Sequence, residues 1–250
     1  MNFIFGIHSV LEAITSGKEI EKIMIKKGMG GPNIDTILQQ SSEHHIPVQY
    51  VPIEKLDRTV SGRHQGVIAC MAQIAYVSLE EVIEAVIPTN PNPLVLLLDG
   101  VTDVRNFGAV ARTAECAGVS LLILPAKGGA AINADAVKSS AGALLRIPVS
   151  RVPNLRTALY YLKESGFTVV AATEKGGDSI FDTPLCGATA IVLGAEDTGI
   201  SSAVLSLCDH KASIPMHGNI SSLNVSAAAA VVLFEAVRQQ IPKSSGYNRT

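Results

Sequence analysis

From Leu94 onward the sequence repeats one device: short, almost wholly apolar runs separated by helix-like segments. The runs are LVLLLD, SLLILP, LRIPVS, FTVVAAT, AIVLG and KASIPM, and most are rich in β-branched residues. An apolar run that does not alternate with polar residues needs cover on both faces, which predicts parallel strands under helices. AVARTAECAG, NLRTALYYLKESG and NVSAAAAVVLFEAVRQQ supply such helices. Composition agrees with this α/β reading: hydrophobic residues make up 47% and aromatics only 4%, so the interior is Val, Ile, Leu and Ala. Ligands of parallel sheets sit in the loops at the carboxyl ends of the strands.

Residues 1–77 read differently, as a small α/β unit of alternating elements. VLEAITSG is a helix with a Gly stop, IEKIMIKK a strand, NIDTILQQSSEHH a helix, IPVQYV a strand, IEKLDRTV a short helix and GVIACMAQI a strand. Residues 78–93, SLEEVIEAVIPTNPNP, are read as a linker made of a short acidic helix that ends in a segment with Pro88, Pro91 and Pro93, because proline neither continues a helix nor joins a central ladder. Residues 94–250 then form the second domain.

The formal net charge is −2, so nucleic-acid binding has to come from local patches. Residues 1–77 hold seven basic and seven acidic side chains, and Lys22, Lys26, Lys27, Arg58 and Arg63 are the candidates for such a patch. Cys70, Cys116, Cys186 and Cys208 are widely spaced, without a CxxC pair, and are read as buried reduced thiols of a cytoplasmic protein. The opening MNFIFGIHSVLEAI lacks the features of an export signal, and no apolar run reaches the ~18 residues of a membrane span. Glycosylation-like triplets at Asn219, Asn224 and Asn248 are accordingly read as chance.

Three loops combine glycine with polar groups directly after buried strands. In LLLDGVTDVRNFGAVARTAECAG these are Asp99, Asp103, Arg105 and Asn106, with Arg112 inside the following helix. The bland reading of Arg112 is a solvated helix face or a pair with Glu115 at i+3. In IVLGAEDTGISS, Glu196 lies between Gly194 and Gly199, and the bland reading is an ordinary turn capped by Ser201. In SIPMHGNISSLNVSAAAAVVLFEAVRQQ, His217, Asn219, Ser221, Ser222, Asn224 and Ser226 precede or open a helix that needs only one N-cap, and this surplus points to a ligand. No GxGxxG, GxxxxGK[ST], HExxH or GxSxG is present, and the six histidines show no metal-ligand spacing, so no metal is expected.

Taken in order, the three loops resemble the three signatures of the SpoU/TrmH branch of the SPOUT RNA 2′-O-ribose methyltransferases, over Leu94 to Gln240. FGIHSVLEAI and RHQGVIA resemble the small ribosomal-protein-like substrate domain of the RlmB-type 23S rRNA enzymes in that family. The resemblance implies a parallel-sheet SPOUT domain with a deep trefoil knot, an exception to the rule against threaded chains. It implies S-adenosylmethionine as cofactor, held by Gly194, Ile214 and Leu223 with Met216 and Asn224 close by. It also implies a homodimer with the active site at or near the subunit contact. Asn106, Arg112, Glu196, Ser222 and Asn224 match the catalytic positions. Asp197 departs from the pattern, standing where many members have a small residue.

The expected reaction transfers a methyl group to the ribose 2′-hydroxyl of a guanosine in large-subunit rRNA, with tRNA as the alternative substrate. A sulfonium methyl is already activated, but the hydroxyl is a weak nucleophile that must shed its proton and lie in line with the departing sulfur. An arginine stays protonated in proteins, so Arg112 is expected to orient the hydroxyl and stabilise the developing negative oxygen rather than to act as a free base. A non-catalytic RNA-binding protein of the same fold and a nucleotide-dependent oxidoreductase are the competing classes. Intact motif residues weigh against the first, and the missing GxGxxG against the second.

Overall fold

The computed structural model describes residues 3–174 and 176–241, and the Asn248 triplet lies outside the described residues. The chain divides into two compact units, one formed by residues 1–76 together with the short segment Ala131–Ala134, the other by the remainder.

The first unit runs β1 (Phe3–Phe5), α1 (Ile7–Thr15), β2 (Ile20–Lys26), α2 (Pro32–Glu43), β3 (Val48–Val51), α3 (Ile53–Thr59) and β4 (Val67–Met71). Its sheet has the order β1-β4-β2-β3. β2 and β3 are parallel, whereas β4 is antiparallel to both β1 and β2. Val10, Ile14, Ile34 and Ile37 from α1 and α2 pack against Ile23, Ile25, Val67 and Ala69. On the other face Leu56 of α3 covers Met24, Val51, Ile68 and Cys70. Successive side chains of β2 and β4 point to opposite faces, which divides them between these two cores.

The second unit begins at Val77, whose N–H donates to the Val149 carbonyl at 3.0 Å. Its elements are α4 (Leu79–Val86), β5 (Leu94–Asp99), α5 (Val104–Cys116), β6 (Leu121–Pro125), α6 (Ala134–Ser139), β7 (Val149–Val152) and α7 (Leu155–Glu164). They continue through β8 (Thr168–Ala172), β9 (Asp178–Ser179), β10 (Thr189–Gly194), α8 (Ser202–Leu205), β11 (His210–Ser213) and α9 (Val225–Gln240). The sheet order is β7-β6-β5-β10-β8-β11-β9, with every pairing parallel. β5 and β10 are buried along nearly their whole length, the burial that their unbroken apolar sequences predict.

The short acidic helix read at the start of the 78–93 stretch is α4, and it packs as part of the second unit. Ser78 caps α4 by accepting the Glu81 N–H, and Leu79 and Ile83, four apart on one face, are buried with Val95, Leu97, Leu121 and Ile123. LRIPVS also differs from its reading as one strand. Ala143–Leu145 form a 3₁₀ turn, and β7 starts only at Val149, because Pro148 has no N–H to give a ladder.

The cysteines are free, but only Cys70 is buried; Cys116 and Cys186 are exposed and Cys208 is intermediate. Apolar sequence neighbours misled here, because Cys116 ends α5 and Cys186 sits in a loop, where the chain turns outward. Burial pushes the Cys208 thiol up to about 11. Among the described residues no helix is long and apolar enough to cross a membrane.

Candidate active site

Register brings the three polar loops to one level. Gly194 of β10 pairs with Asp99 of β5, Leu193 with Ala172 of β8, and Ala172 in turn with Ala212 of β11. Four parallel strands therefore end side by side, and the segments after them emerge from the same edge.

The first loop is fixed by its acids. Asp103 caps α5, its Oδ1 accepting the N–H groups of Arg105 at 2.9 Å and Asn106 at 2.8 Å, which sets Asn106 in the first turn. Asp99 accepts the Ser201 N–H at 2.8 Å. Ser201 makes no side-chain cap of its own, so the bland reading of that turn is fulfilled by Asp99 instead.

The second loop is a tight backbone turn. Ala195 and Gly199 form a bridge, and the Gly199 N–H donates to the Ala195 carbonyl at 2.9 Å. Gly199 adopts φ +70°, the left-handed region glycine favours. A Cβ on Gly194 would lie 2.2 Å from the Gly199 carbonyl carbon and 2.3 Å from the Ile200 nitrogen. Gly194 is thus required by the chain's own return, and the turn presents Glu196 at its tip.

The third segment ends on Asn224, which serves two purposes with one amide. Its Oδ1 caps α9, accepting the Ser226 N–H at 3.0 Å and the Ser226 hydroxyl at 2.6 Å. Its Nδ2 donates to Asn106 Oδ1 at 3.1 Å and to Glu196 Oε2 at 3.2 Å, and Asn106 Nδ2 donates to the same Glu196 oxygen at 3.2 Å. Side chains 90 and 118 residues apart are joined in one network. Beside it lies an open cleft lined by Gly100, Thr102, Asp103, Asn106, Glu196 and Asp197.

A second pocket takes in Ile214, Met216, Ser222 and Leu223, together with Ser221 and Glu174. Gly194 and Asn224 do not line it. Glu174 escaped the sequence reading, although it too follows a buried strand, FTVVAAT, and that position was the available signal. Arg112 stands apart from both groups. It is exposed, takes part in no hydrogen bond or ion pair among the described residues, and lies six residues beyond Asn106, roughly 240° around α5. No group of three or more His, Cys, Asp or Glu is gathered to hold a metal ion among the described residues.

The profile of the SpoU rRNA Methylase family matches residues 93–234, and that of RNA 2′-O ribose methyltransferase substrate binding matches residues 3–77. Fold and sequence together define an RNA 2′-O-ribose methyltransferase of the S-adenosylmethionine-dependent SPOUT class. The chain belongs to the SpoU rRNA methylase family.

A protein of Staphylococcus haemolyticus that carries the name TrmH family tRNA/rRNA methyltransferase is 37% identical over 237 residues, 95% of each chain. Among solved structures, the SpoU methyltransferase AviRb of Streptomyces viridochromogenes, crystallised with AdoMet, is 25% identical with a TM-score of 0.60, covering 95% of this chain and 89% of that one. The TrmH/SpoU tRNA modifying enzyme of A. aeolicus is 30% identical with a TM-score of 0.55, covering 64% of this chain and 81% of its own.

Proposed function

We propose that this protein methylates the ribose 2′-hydroxyl of a guanosine in large-subunit rRNA, in the cytoplasm, as a homodimer. The observation that carries the active-site assignment is the Asn106–Glu196–Asn224 network, which joins residues from all three signature loops. The rRNA assignment is supported by the family matching residues 93–234 and by the substrate-binding match over residues 3–77. A tRNA substrate is the second reading, favoured by the A. aeolicus tRNA modifying enzyme, whose likeness spans 64% of the chain.

The pocket beside the network fits the cofactor chemically. Ile214, Met216 and Leu223 offer apolar surface to a purine, and Ser221, Ser222 and Glu174 offer hydroxyls and a carboxylate to its ribose and cationic end. When bound, S-adenosylmethionine supplies an activated methyl group. Glu196, held by two amides, is restrained as a fixed negative group beside the reaction site. Arg112, exposed and unpaired, orients the attacking hydroxyl and the adjoining phosphate and steadies the charge that develops on oxygen.

Arg112 and Asn106 occupy different faces of α5, so one chain does not present both to a single point. A second copy supplying its Arg112 resolves this. Phe234, 48% exposed on α9, offers a second copy an apolar anchor.

Methyl-labelled S-adenosylmethionine, offered with undermethylated rRNA and tRNA in parallel, tests the reading. Label is expected on a guanosine 2′-oxygen of large-subunit rRNA. Label on a base atom, or on tRNA alone, would overturn it.

A further inference from the structure

One cleft of the first unit lies between the loop that follows β2 and the loop that precedes β4. It encloses about 650 Å³ and is lined by Lys26, Lys27, Gly28, Met29, Gly30, Ile53 and the run Gly62–Gly66. That volume is typical of a small-molecule site, about 300–1,000 Å³.

Its charge has one sign. Lys26, Lys27 and Arg63 are exposed on the rim, no carboxylate lines the cleft, and none of the three cations is ion-paired among the described residues. Its floor is partly apolar, through the half-buried Met29 and Ile53.

The wall carrying Arg63 is built to be rigid. His64 is buried at 7% exposure; its Nδ1 accepts the Gly66 N–H at 3.0 Å, and its Nε2 bonds Asp57 at 2.9 Å. With Nδ1 accepting, Nε2 carries the proton and donates it to Asp57. Gln65 is held at φ 51°, uncommon for a residue with a side chain, and its Oε1 accepts the Ile7 N–H at 3.1 Å, capping α1 where Gly6 cannot. The Gly66 carbonyl accepts the Lys26 N–H at 2.9 Å, which ties the two walls together. Backbone in an unfavoured conformation, over-determined by its surroundings, is characteristic of binding loops.

We infer that this cleft holds an unpaired nucleotide of the RNA substrate. Phosphates lie on Lys26, Lys27 and Arg63, and the splayed base enters against Met29 and Ile53. Loops and bulges are the parts of folded RNA whose bases can leave the stack, and phosphate contacts fix register without reading sequence. The inference rests on the reading of the chain as an RNA methyltransferase and assigns to its first unit the capture of a looped element. Of the five basic residues that the sequence offered for an RNA patch, the structure gathers Lys26, Lys27 and Arg63 here, while Lys22 lines a separate pocket.

Fluorescence anisotropy with a labelled stem-loop RNA, and with the blunt duplex of the same stem, tests this on the full chain. The stem-loop is expected to bind at least about tenfold tighter than the duplex. Lys26→Ala with Arg63→Ala should weaken stem-loop binding about tenfold and lower the salt dependence by about one unit per cation removed. S-adenosylmethionine affinity should stay unchanged, and Arg63→Lys should recover most of the RNA affinity. Equal binding of duplex and stem-loop, or undiminished binding by the folded double variant, would overturn the inference.

A photocrosslink from 4-thiouridine in the loop provides a readout on unmutated protein. Adducts are expected in residues 26–30 or 62–66, and adducts confined to the second unit would overturn the assignment. Binding as expected by an enzyme that transfers no methyl group to any RNA would refute the proposed activity and leave the cleft standing.

Discussion

The loops after β10 and after β11 leave the same edge of the parallel sheet, on either side of β8, yet they are built in opposite ways. The turn 194–201 is stitched by its own backbone, through the Ala195–Gly199 bridge, the contact over Gly194 and the Asp99 bond to Ser201. Residues 214–223 make no hydrogen bond among the described residues, and Ile220, Met216 and Leu223 are exposed by 74%, 38% and 37%. One loop is preformed framework. The other carries the pocket's apolar groups and has its polar backbone groups free to meet a ligand. On the proposed reading, such a site would hold its hydrogen-bonded network in place and leave the pocket's open loop to close on the cofactor.

The sharpest way to break the comparison is to add one methyl group to each loop. Gly194→Ala forces the Gly199–Ile200 backbone aside and should cost about 3 kcal/mol or more, read by thermal or urea unfolding. Gly218→Ala meets nothing within 4 Å and should stay within about 0.5 kcal/mol of the parent. Equal effects at the two glycines would show that the loops do not differ in rigidity.

Next in size is Arg112→Ala. It should lower kcat by about two orders of magnitude or more while leaving stability and S-adenosylmethionine affinity intact, measured by single-turnover methylation and calorimetry.

Asn224 joins the two kinds of loop and can be dissected at its two ends. Asn224→Ala should lose about 1 kcal/mol of stability through the α9 cap and also lose activity. Asn224→Asp retains the capping oxygen but not the donor to Asn106 and Glu196, so stability should return while activity does not. On the open loop, Leu223→Ala should weaken cofactor binding about tenfold with little change in unfolding temperature, since the side chain is exposed in the free protein.

The smallest effect concerns acid. Glu235 is buried and accepts hydrogen bonds from Arg238 Nε at 2.8 Å and Nη2 at 2.7 Å, which hold its carboxyl below the usual carboxylate range. Because the folded value is the lower one, this contribution is complete at neutral pH and disappears as the pH falls through that value. Glu235→Gln should flatten the acid limb of the unfolding temperature against pH without altering the alkaline limb.

Much of this division was legible in the sequence. LVLLLD and AIVLG announce buried parallel strands because nothing polar interrupts them, and β5 occupies the whole of LVLLLD. The surplus of polar residues before NVSAAAAVV pointed to more than a cap, and Asn224 caps and reaches across the site at once. The partnership of Asn106, Glu196 and Asn224 was not legible from spacing, since it depends on a strand order in which β10 enters between β5 and β8. Resemblance supplied what spacing could not. Glu174 was missed for a related reason: the pocket that it lines is made by loops that meet only after folding.

Helix α4 carries a practical consequence for dissecting or recombining these enzymes. With Leu79 and Ile83 inside the second core, a fragment starting at Leu94 would leave Val95, Leu97 and Leu121 uncovered and prone to self-association. The seam for swapping first units between relatives lies between Tyr76 and Val77, and a chimera joined there inherits the receiving domain's own lid over its sheet.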